Sequence, residues 1–163
     1  MLEKCWRSVR GMFEKCSPNT MMRVIGLLGS LIALPEETVV KEGEIILRIY
    51  FVQSGLLGVY HSSKAKAEVK INELADGSAF GHRSLIRYYQ GRDNRSTATV
   101  RASSYCELET LPHADVRSLM EKDPQMAASV RAEARKAYVS DRSRTFRKQS
   151  SSDMGMITHA QKH

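Results

Sequence analysis

The sequence predicts an α+β fold in which a small antiparallel β-barrel or jelly roll is flanked by N-terminal helices and C-terminal helices. Short β-rich runs fill residues 38–111 and are punctuated by Gly43, Gly55 and Gly77. On both sides of this region apolar residues recur at three- and four-residue intervals, which is typical of helices. A chain of 163 residues with 42% hydrophobic and 26% charged residues has the composition of one small globular domain.

Residues 1–34 are predicted to form the N-terminal helices. The first carries one apolar stripe made of Leu2, Cys5, Trp6, Val9, Met12 and Phe13. Ser17 is a good N-cap and Pro18 suits the first helical position, so a second helix should run to about Leu28 and end near Gly29.

Residues 35–111 are predicted to form the barrel. The expected strands are Ile45 to Val52, Leu56 to Tyr60, Val69 to Leu74, Ala98 to Ala102 and Cys106 to Leu111. Residues 68–72 and 106–109 alternate apolar with polar side chains, as a half-buried strand does.

Helical periodicity returns in residues 112–148. Asp123 and Pro124 are typical of an N-cap and first helical position, and they start a final helix. One side of that helix carries Val130, Ala134, Ala137 and Tyr138. The remaining residues, 149–163, are polar and without apolar periodicity, which predicts a disordered tail.

Much of the net charge of +7 lies near the C-terminus, where residues 131–148 contain seven basic and two acidic residues. One interpretation is a solvated helix face that continues into the tail. The other is contact with an anionic membrane surface, where each basic residue contributes about 1 kcal/mol.

Several classes of protein are disfavoured by the sequence. No apolar run approaches the ~20 residues that span a bilayer, and no signal peptide is recognisable, so we expect a cytoplasmic location, as a whole protein or as the cytosolic part of a membrane protein. The three cysteines are scattered and are expected to be reduced. Isolated histidines disfavour a metal site, and the absence of a nucleophile–base pattern disfavours an enzyme. No helix-turn-helix pattern follows Ser140, so neither DNA nor RNA is an expected partner.

The most informative segments are Phe80-Gly81-His82-Arg83-Ser84-Leu85-Ile86 and Arg95-Ser96-Thr97-Ala98-Thr99-Val100-Arg101-Ala102. Together they resemble the phosphate-binding cassette of cyclic-nucleotide-binding domains. Further signatures of that family follow one another in the expected order, in residues 12–17, 35–44, 50–55 and 74–81. Two segments, Phe13-Glu14-Lys15-Cys16-Ser17 and Ala102-Ser103-Ser104-Tyr105-Cys106-Glu107-Leu108, look most similar to the domains of voltage-gated-type cation channels.

The resemblance implies a cassette over residues 80–100 with cAMP or cGMP as ligand and no other cofactor. The implied ligand-binding residues are Leu74, Phe80, Gly81, His82, Arg83, Ser84, Arg95, Ser96, Thr97 and Ala98. Leu74 would form an apolar wall under the base, and Thr97 and Ala98 would lie against the phosphate. The helix with Val130, Ala134, Ala137 and Tyr138 would close as a lid. The implied partner is the rest of a channel or transporter. Whether the chain forms a homo-oligomer is left open by the sequence.

Two positions depart from the family pattern. His82 stands where the family has a Glu that accepts a hydrogen bond from the ribose hydroxyl, and Ser96 stands where it has the Arg that pairs with the phosphate. Hydrogen bonds of charged groups contribute ~1.5–3 kcal/mol each, so losing both costs roughly 3–6 kcal/mol.

Compensation could come from arginines in the cassette loop, which are Arg83, Arg87, Arg92 and Arg95. Arg95 is the first candidate, although a shift of one residue turns a side chain to the other face of extended chain. His82 could itself bond a hydroxyl or, when protonated, a phosphate. Two interpretations therefore stay open. The chain is a cyclic-nucleotide sensor that gates a channel or transporter, or it is a degenerate homology domain that binds no nucleotide and acts as a protein-interaction or self-liganded module.

Overall fold

The computed structural model describes Val9 and residues 12–135. Three helices are α1 (Pro18–Leu27), α2 (His82–Tyr89) and α3 (His113–Lys122), and a fourth, α4, occupies residues 124–135. Val9, Met12 and Phe13 are also helical. No helix of these described segments is long and apolar enough to cross a membrane.

Eight strands form the two sheets of a jelly roll. They are β1 (Gly29–Ala33), β2 (Thr38–Val40), β3 (Arg48–Ser54), β4 (Leu57–Ser62), β5 (Glu68–Leu74), β6 (Ala79–Phe80), β7 (Thr99–Ala102) and β8 (Cys106–Pro112). One sheet has the order β1-β8-β3-β6 and the other β2-β7-β4-β5, and all neighbours are antiparallel. The predicted α+β architecture is confirmed.

The second predicted helix is found as α1. The Ser17 hydroxyl oxygen accepts a hydrogen bond from the Thr20 backbone N–H at 3.3 Å, and Pro18 occupies the first turn. The helix ends at Leu27, close to the predicted end at Leu28.

Strand β1 lies within residues 1–34, which were predicted as the segment of the N-terminal helices, with the second helix ending near Gly29. It pairs with β8 from Gly29↔Thr110 to Ala33↔Cys106, so the barrel begins before residue 35. Leu31 and Ile32 are both exposed, so the strand has no buried apolar face that would give it the period of a half-buried strand. Its pairing partner is about 75 residues away, which local sequence patterns do not report.

The prediction that residues 68–72 form a half-buried strand is wrong about burial. Val69 and Ile71 lie in β5 as expected, but both are exposed. Strand β5 is the edge of its sheet, and Val69 pairs with His61, beyond Tyr60↔Thr99, the last pair of β4 with β7. This end of the β4–β5 hairpin therefore projects past the rest of the sheet.

The core has two parts. A helical cluster joins the helices to the outer side of β3 and includes Phe13, Val24, Phe51, Leu85, Met126 and Val130. A barrel cluster fills the interior between the sheets and includes Val52, Leu57, Val100 and Leu108. Phe13 and Phe51 pack with ring centroids 6.3 Å apart, which connects the N-terminal helical residues to the barrel wall.

Helix α4 docks against the helical cluster through Met126, Val130 and Ala134, which are all buried. The predicted lid residues Ala137 and Tyr138, the start of the first predicted helix and the predicted tail lie outside the described residues.

We predict that α4 contributes to stability through Met126. This side chain is 0% exposed, whereas Met22 on α1 is 69% exposed. Met126→Ala should lower the free energy of unfolding by about 2–5 kcal/mol because it leaves a cavity. The matched variant Met22→Ala should change it by less than about 0.5 kcal/mol. Urea unfolding of both variants checks this, and equal losses would mean that α4 is not docked as described.

Candidate functional site

The predicted cassette begins with a tight connection from β6 to α2. Gly81 is the N-cap of α2 and has a φ of +94°, in the left-handed region that favours glycine. A Cβ atom at this position would overlap the backbone carbonyl oxygen of Arg48 in β3. Gly81 is therefore required for two reasons, its backbone conformation and its close approach to the barrel wall.

The N-terminus of α2 is available to an anion. Gly81, the N-cap residue, offers no side chain as a cap. The first backbone N–H groups of a helix have no partner within the helix and carry the positive end of its dipole. Such a terminus can bind a phosphate group.

The His113 side chain holds this turn in place through a hydrogen bond to Gly81. It is 1% exposed and is the first residue of α3. Its Nε2 lies 3.1 Å from the Gly81 carbonyl oxygen, so the ring must donate from Nε2. Its backbone N–H donates to the Leu47 carbonyl at 2.8 Å. Burial lowers the pKa of His113 to about 4, although the Gly81 carbonyl opposes the shift.

His82 occupies the first position of α2, and its ring is largely enclosed. Its Nδ1 is buried and has no hydrogen-bond partner among the described residues. Burial is the main cause of a lowered pKa, nearby Arg83 lowers it further, and Glu133 of α4 acts in the opposite direction. The ring is thus neutral near pH 7. Its electrostatic interaction with Glu133 links it to α4 rather than to the barrel.

Arg95, the first candidate for the phosphate cation, and Ser96, which stands at the family's Arg position, have other partners. The Arg95 guanidinium donates to the Gly43 carbonyl at 3.0 Å and lies 3.7 Å from the Asp93 carboxylate, on the exposed surface. The Ser96 hydroxyl donates to the Ala98 carbonyl at 2.5 Å. Neither side chain supplies a cation to the cassette in this arrangement.

Thr97 and Thr99 are held by a network that the sequence analysis missed. The His61 Nδ1 lies 3.1 Å from the Thr97 carbonyl oxygen and 3.1 Å from the Glu42 carboxylate. The Glu42 backbone N–H donates to the Thr99 hydroxyl at 3.0 Å. The Ser62 N–H is the main cause of the lowered pKa of Glu42, with His61 adding to it. In the sequence, the Glu42-Gly43 turn was the only local feature that pointed to this network.

Phe80 and Leu74 border the barrel cluster, where the ligand base was predicted to lie. The Phe80 ring stacks on Tyr50, with centroids 4.7 Å apart and planes at 5°. Leu74 is partly buried against the same cluster and pairs with Leu57 of β4. Both residues thus border the interior, and the role of Leu74 as an apolar wall under the base stays a prediction.

The cassette helix α2 carries the predicted residue Ser84 and packs against the C-terminal helices. Ser84 and Leu85 are buried, and Leu85 shares the helical cluster with Val130. The guanidinium of Arg117 on α3 lies 5.4 Å from the Tyr89 ring centroid, and that of Arg131 on α4 lies 5.8 Å from it. The cassette helix is therefore connected to both C-terminal helices, while closure of α4 over a ligand stays a prediction.

Comparisons with known proteins agree with this geometry. Residues 33–123 match the profile of the family described as Cyclic nucleotide-binding domain. Over 115 residues the chain is 31% identical to the human potassium/sodium hyperpolarization-activated cyclic nucleotide-gated channel 1, covering 71% of this chain but 12% of that protein. The chain thus spans only a small part of the length of this relative.

Solved structures share the fold. The C-linker/CNBHD of zELK channels, crystallized in the presence of cAMP, aligns with a TM-score of 0.67 at 22% identity and covers 77% of this chain and 60% of that one. The Thermus thermophilus catabolite activator protein aligns with a TM-score of 0.69 at 19% identity and covers 85% and 63%.

We predict that Gly81→Ala is far more destabilising than Gly77→Ala. Gly77 has a φ of +87° but open space around its Cβ position, whereas Gly81 combines a similar φ with the Arg48 carbonyl. The left-handed conformation costs about 1–2 kcal/mol in both variants. Only Gly81→Ala adds the overlap with the Arg48 carbonyl, so its thermal unfolding midpoint should be lower than that of Gly77→Ala. Equal midpoints would mean that the cassette turn is not packed against β3.

We further predict a stability change with pH that depends on His113. The unfolded histidine takes up a proton near pH 6.5, whereas the folded one resists protonation until about pH 4. The unfolded state thus binds more protons in this window, and stability falls as the pH drops from about 6.5 towards about 4. At pH 5 the loss should reach about 2 kcal/mol.

His113→Gln keeps a side-chain N–H donor but does not titrate. Its urea-unfolding free energy should therefore fall less than that of the wild type between about pH 7 and about pH 5. A variant with an unchanged pH dependence would mean that the ring is not buried in its neutral form.

Proposed function

The chain belongs to the cyclic nucleotide-binding domain family, and we propose that its barrel binds cAMP or cGMP as the regulatory module of a cation channel or related transporter. The observation that carries this proposal is the N-terminus of α2, whose N-cap Gly81 has no side chain and lies against the barrel wall. A cyclic phosphate carries one negative charge, which suits unpaired backbone N–H groups at a helix start. The similarity to a cyclic nucleotide-gated channel supports the channel assignment.

Weak affinity is expected because the cassette lacks the usual cation. Arg95 bonds the Gly43 carbonyl on the surface, and Ser96 bonds its own turn. The backbone N–H groups and the Thr97 hydroxyl then provide the remaining donors. A charged hydrogen-bond partner contributes about 1.5–3 kcal/mol, so its absence lowers affinity by roughly ten- to a hundredfold.

Regulation would act through the helical cluster. Leu85 of the cassette helix, Val130 of α4 and Phe13 near the N-terminus belong to this one cluster. A ligand that moves α2 changes the surface on which α4 and the N-terminal helical residues pack. In a channel or transporter, this change would reach the segment that precedes the domain.

A second candidate is a homology domain that binds no nucleotide. The stacked rings of Tyr50 and Phe80 and the neutral, enclosed His82 favour it, because they leave an apolar interior without charged partners. Such a domain would serve as a protein-interaction module with the same helical connections.

A charge-conserving exchange separates the two candidates. We predict that Arg95→Ser combined with Ser96→Arg raises affinity for cAMP or cGMP about ten- to a hundredfold, because the cation moves to the position of the family's phosphate partner. Net charge and composition are unchanged, so a gain reports position rather than overall attraction. Isothermal titration calorimetry with both nucleotides measures the effect.

Arg95→Ala is the matched control and should leave affinity unchanged, since Arg95 is engaged at the surface. Loss of binding in Arg95→Ala would show that Arg95 serves the phosphate, in contradiction to this site arrangement. A folded exchange variant that binds neither nucleotide would favour the homology-domain function.

A further inference from the structure

Asp123 lies between α3 and α4, and its two carboxylate oxygens face the starts of two different helices. Oδ1 accepts hydrogen bonds from the backbone N–H groups of Gln125 at 3.0 Å and Met126 at 3.2 Å, which caps α4. Oδ2 accepts from the Thr20 hydroxyl at 2.7 Å and from the Ser17 backbone N–H at 3.4 Å, at the start of α1. The two helix starts are more than 100 residues apart in the sequence but share one carboxylate.

We propose that Asp123 is the positioning residue that couples α4 to α1, so that a displacement of α4 is transmitted to the N-terminal helix through this carboxylate. The coupling is a property of the chain itself, and only its use in nucleotide response depends on the proposed function. The Asp123 coupling is therefore one step of the regulatory route, and it is the same for whichever ligand the barrel binds.

The charge of Asp123 supports a strong link. Hydrogen bonds to a charged acceptor are shorter and stronger than those between neutral groups. The Thr20 hydroxyl is the main cause of a lowered pKa of Asp123, and the Met126, Ser17 and Gln125 N–H groups lower it further. Both helix starts thus favour the ionised form, and the carboxylate serves them at the same time.

The geometry makes the link directional. An N-cap must keep its oxygen close to the N–H groups of the first turn, so Asp123 moves with the start of α4. Because the two oxygens of a carboxylate are rigidly joined, the position of Oδ2 follows that of Oδ1. Thr20 is buried and also bonds the Ser17 N-cap hydroxyl at 2.9 Å, so a shift of Oδ2 acts on the capping network of α1.

An apolar route runs in parallel, because Val24 of α1 and Met126 of α4 belong to the same helical cluster. Apolar packing is non-directional and tolerates sliding. The two routes make different predictions, since removing one hydroxyl at Thr20 leaves the apolar cluster and the Asp123 cap of α4 in place.

The experiment measures amide hydrogen exchange in the whole chain without nucleotide. Ala128→Gly, at an exposed position inside α4, should loosen that helix and raise its exchange about fivefold. We expect the exchange of α1 to rise at least twofold in the same variant. In a Thr20→Val background α4 should still respond, whereas α1 should not.

Two controls define the interpretation. Thr110→Val removes another buried threonine hydroxyl, in β8, and should leave the response of α1 intact. Thr20→Ser keeps the hydroxyl and should restore the response. Should Thr20→Val not fold, Thr20→Ala also removes the hydroxyl that donates to Asp123, and it should also block the response.

An α1 response that persists in Thr20→Val would assign the coupling to the apolar cluster and overturn the proposal. No α1 response in Ala128→Gly alone would also overturn it, because the helices would then be uncoupled. Failure of nucleotide binding is detected separately by calorimetry, so each failure is distinguishable from the other.

Discussion

The close approach of Gly81 to β3 determines the geometry of the cassette. The Arg48 carbonyl occupies the space that a Cβ atom of Gly81 would fill. The His113 Nε2 donates a hydrogen bond to the Gly81 carbonyl oxygen at 3.1 Å. Because His113 also begins α3 and binds the Leu47 carbonyl, the barrel, the cassette and the C-terminal helices meet at one peptide unit. The direction of α2, and so of its first N–H groups, follows from this contact.

The electrostatics around this turn rely on backbone dipoles rather than on side-chain charges. Burial keeps His113 neutral and lowers the pKa of His82, and Arg95 is held on the surface by Gly43 and Asp93. The second half of the cassette is instead positioned by Glu42 and His61, which fix Thr97 and Thr99. The cassette turn is thus packed in place while Arg95 and Ser96 have other partners, which is why family membership and affinity are separate questions.

The features that the sequence predicted well are those determined locally. Ser17 and Pro18 mark the start of α1 through one cap and one fixed φ, and the glycine-punctuated runs correspond to strands of the barrel. Strand β1 was missed because its identity comes from pairing with β8, and the exposure of Val69 follows from the end of the β4–β7 pairing. The Glu42–His61 pair and the contact of Asp123 with Thr20 join distant segments, so no local periodicity indicated them.

The helical connections are made between the helices themselves. Leu85, Val130 and Phe13 pack together, and Asp123 bridges the starts of α4 and α1. A sensor would use these contacts to report its ligand, because movement of α2 alters the surface on which α4 is docked. A homology domain could use the same contacts to respond to a protein bound at α4. A domain without the cassette ion pair would therefore respond to a different ligand or protein. The helical contacts that transmit the response would stay the same.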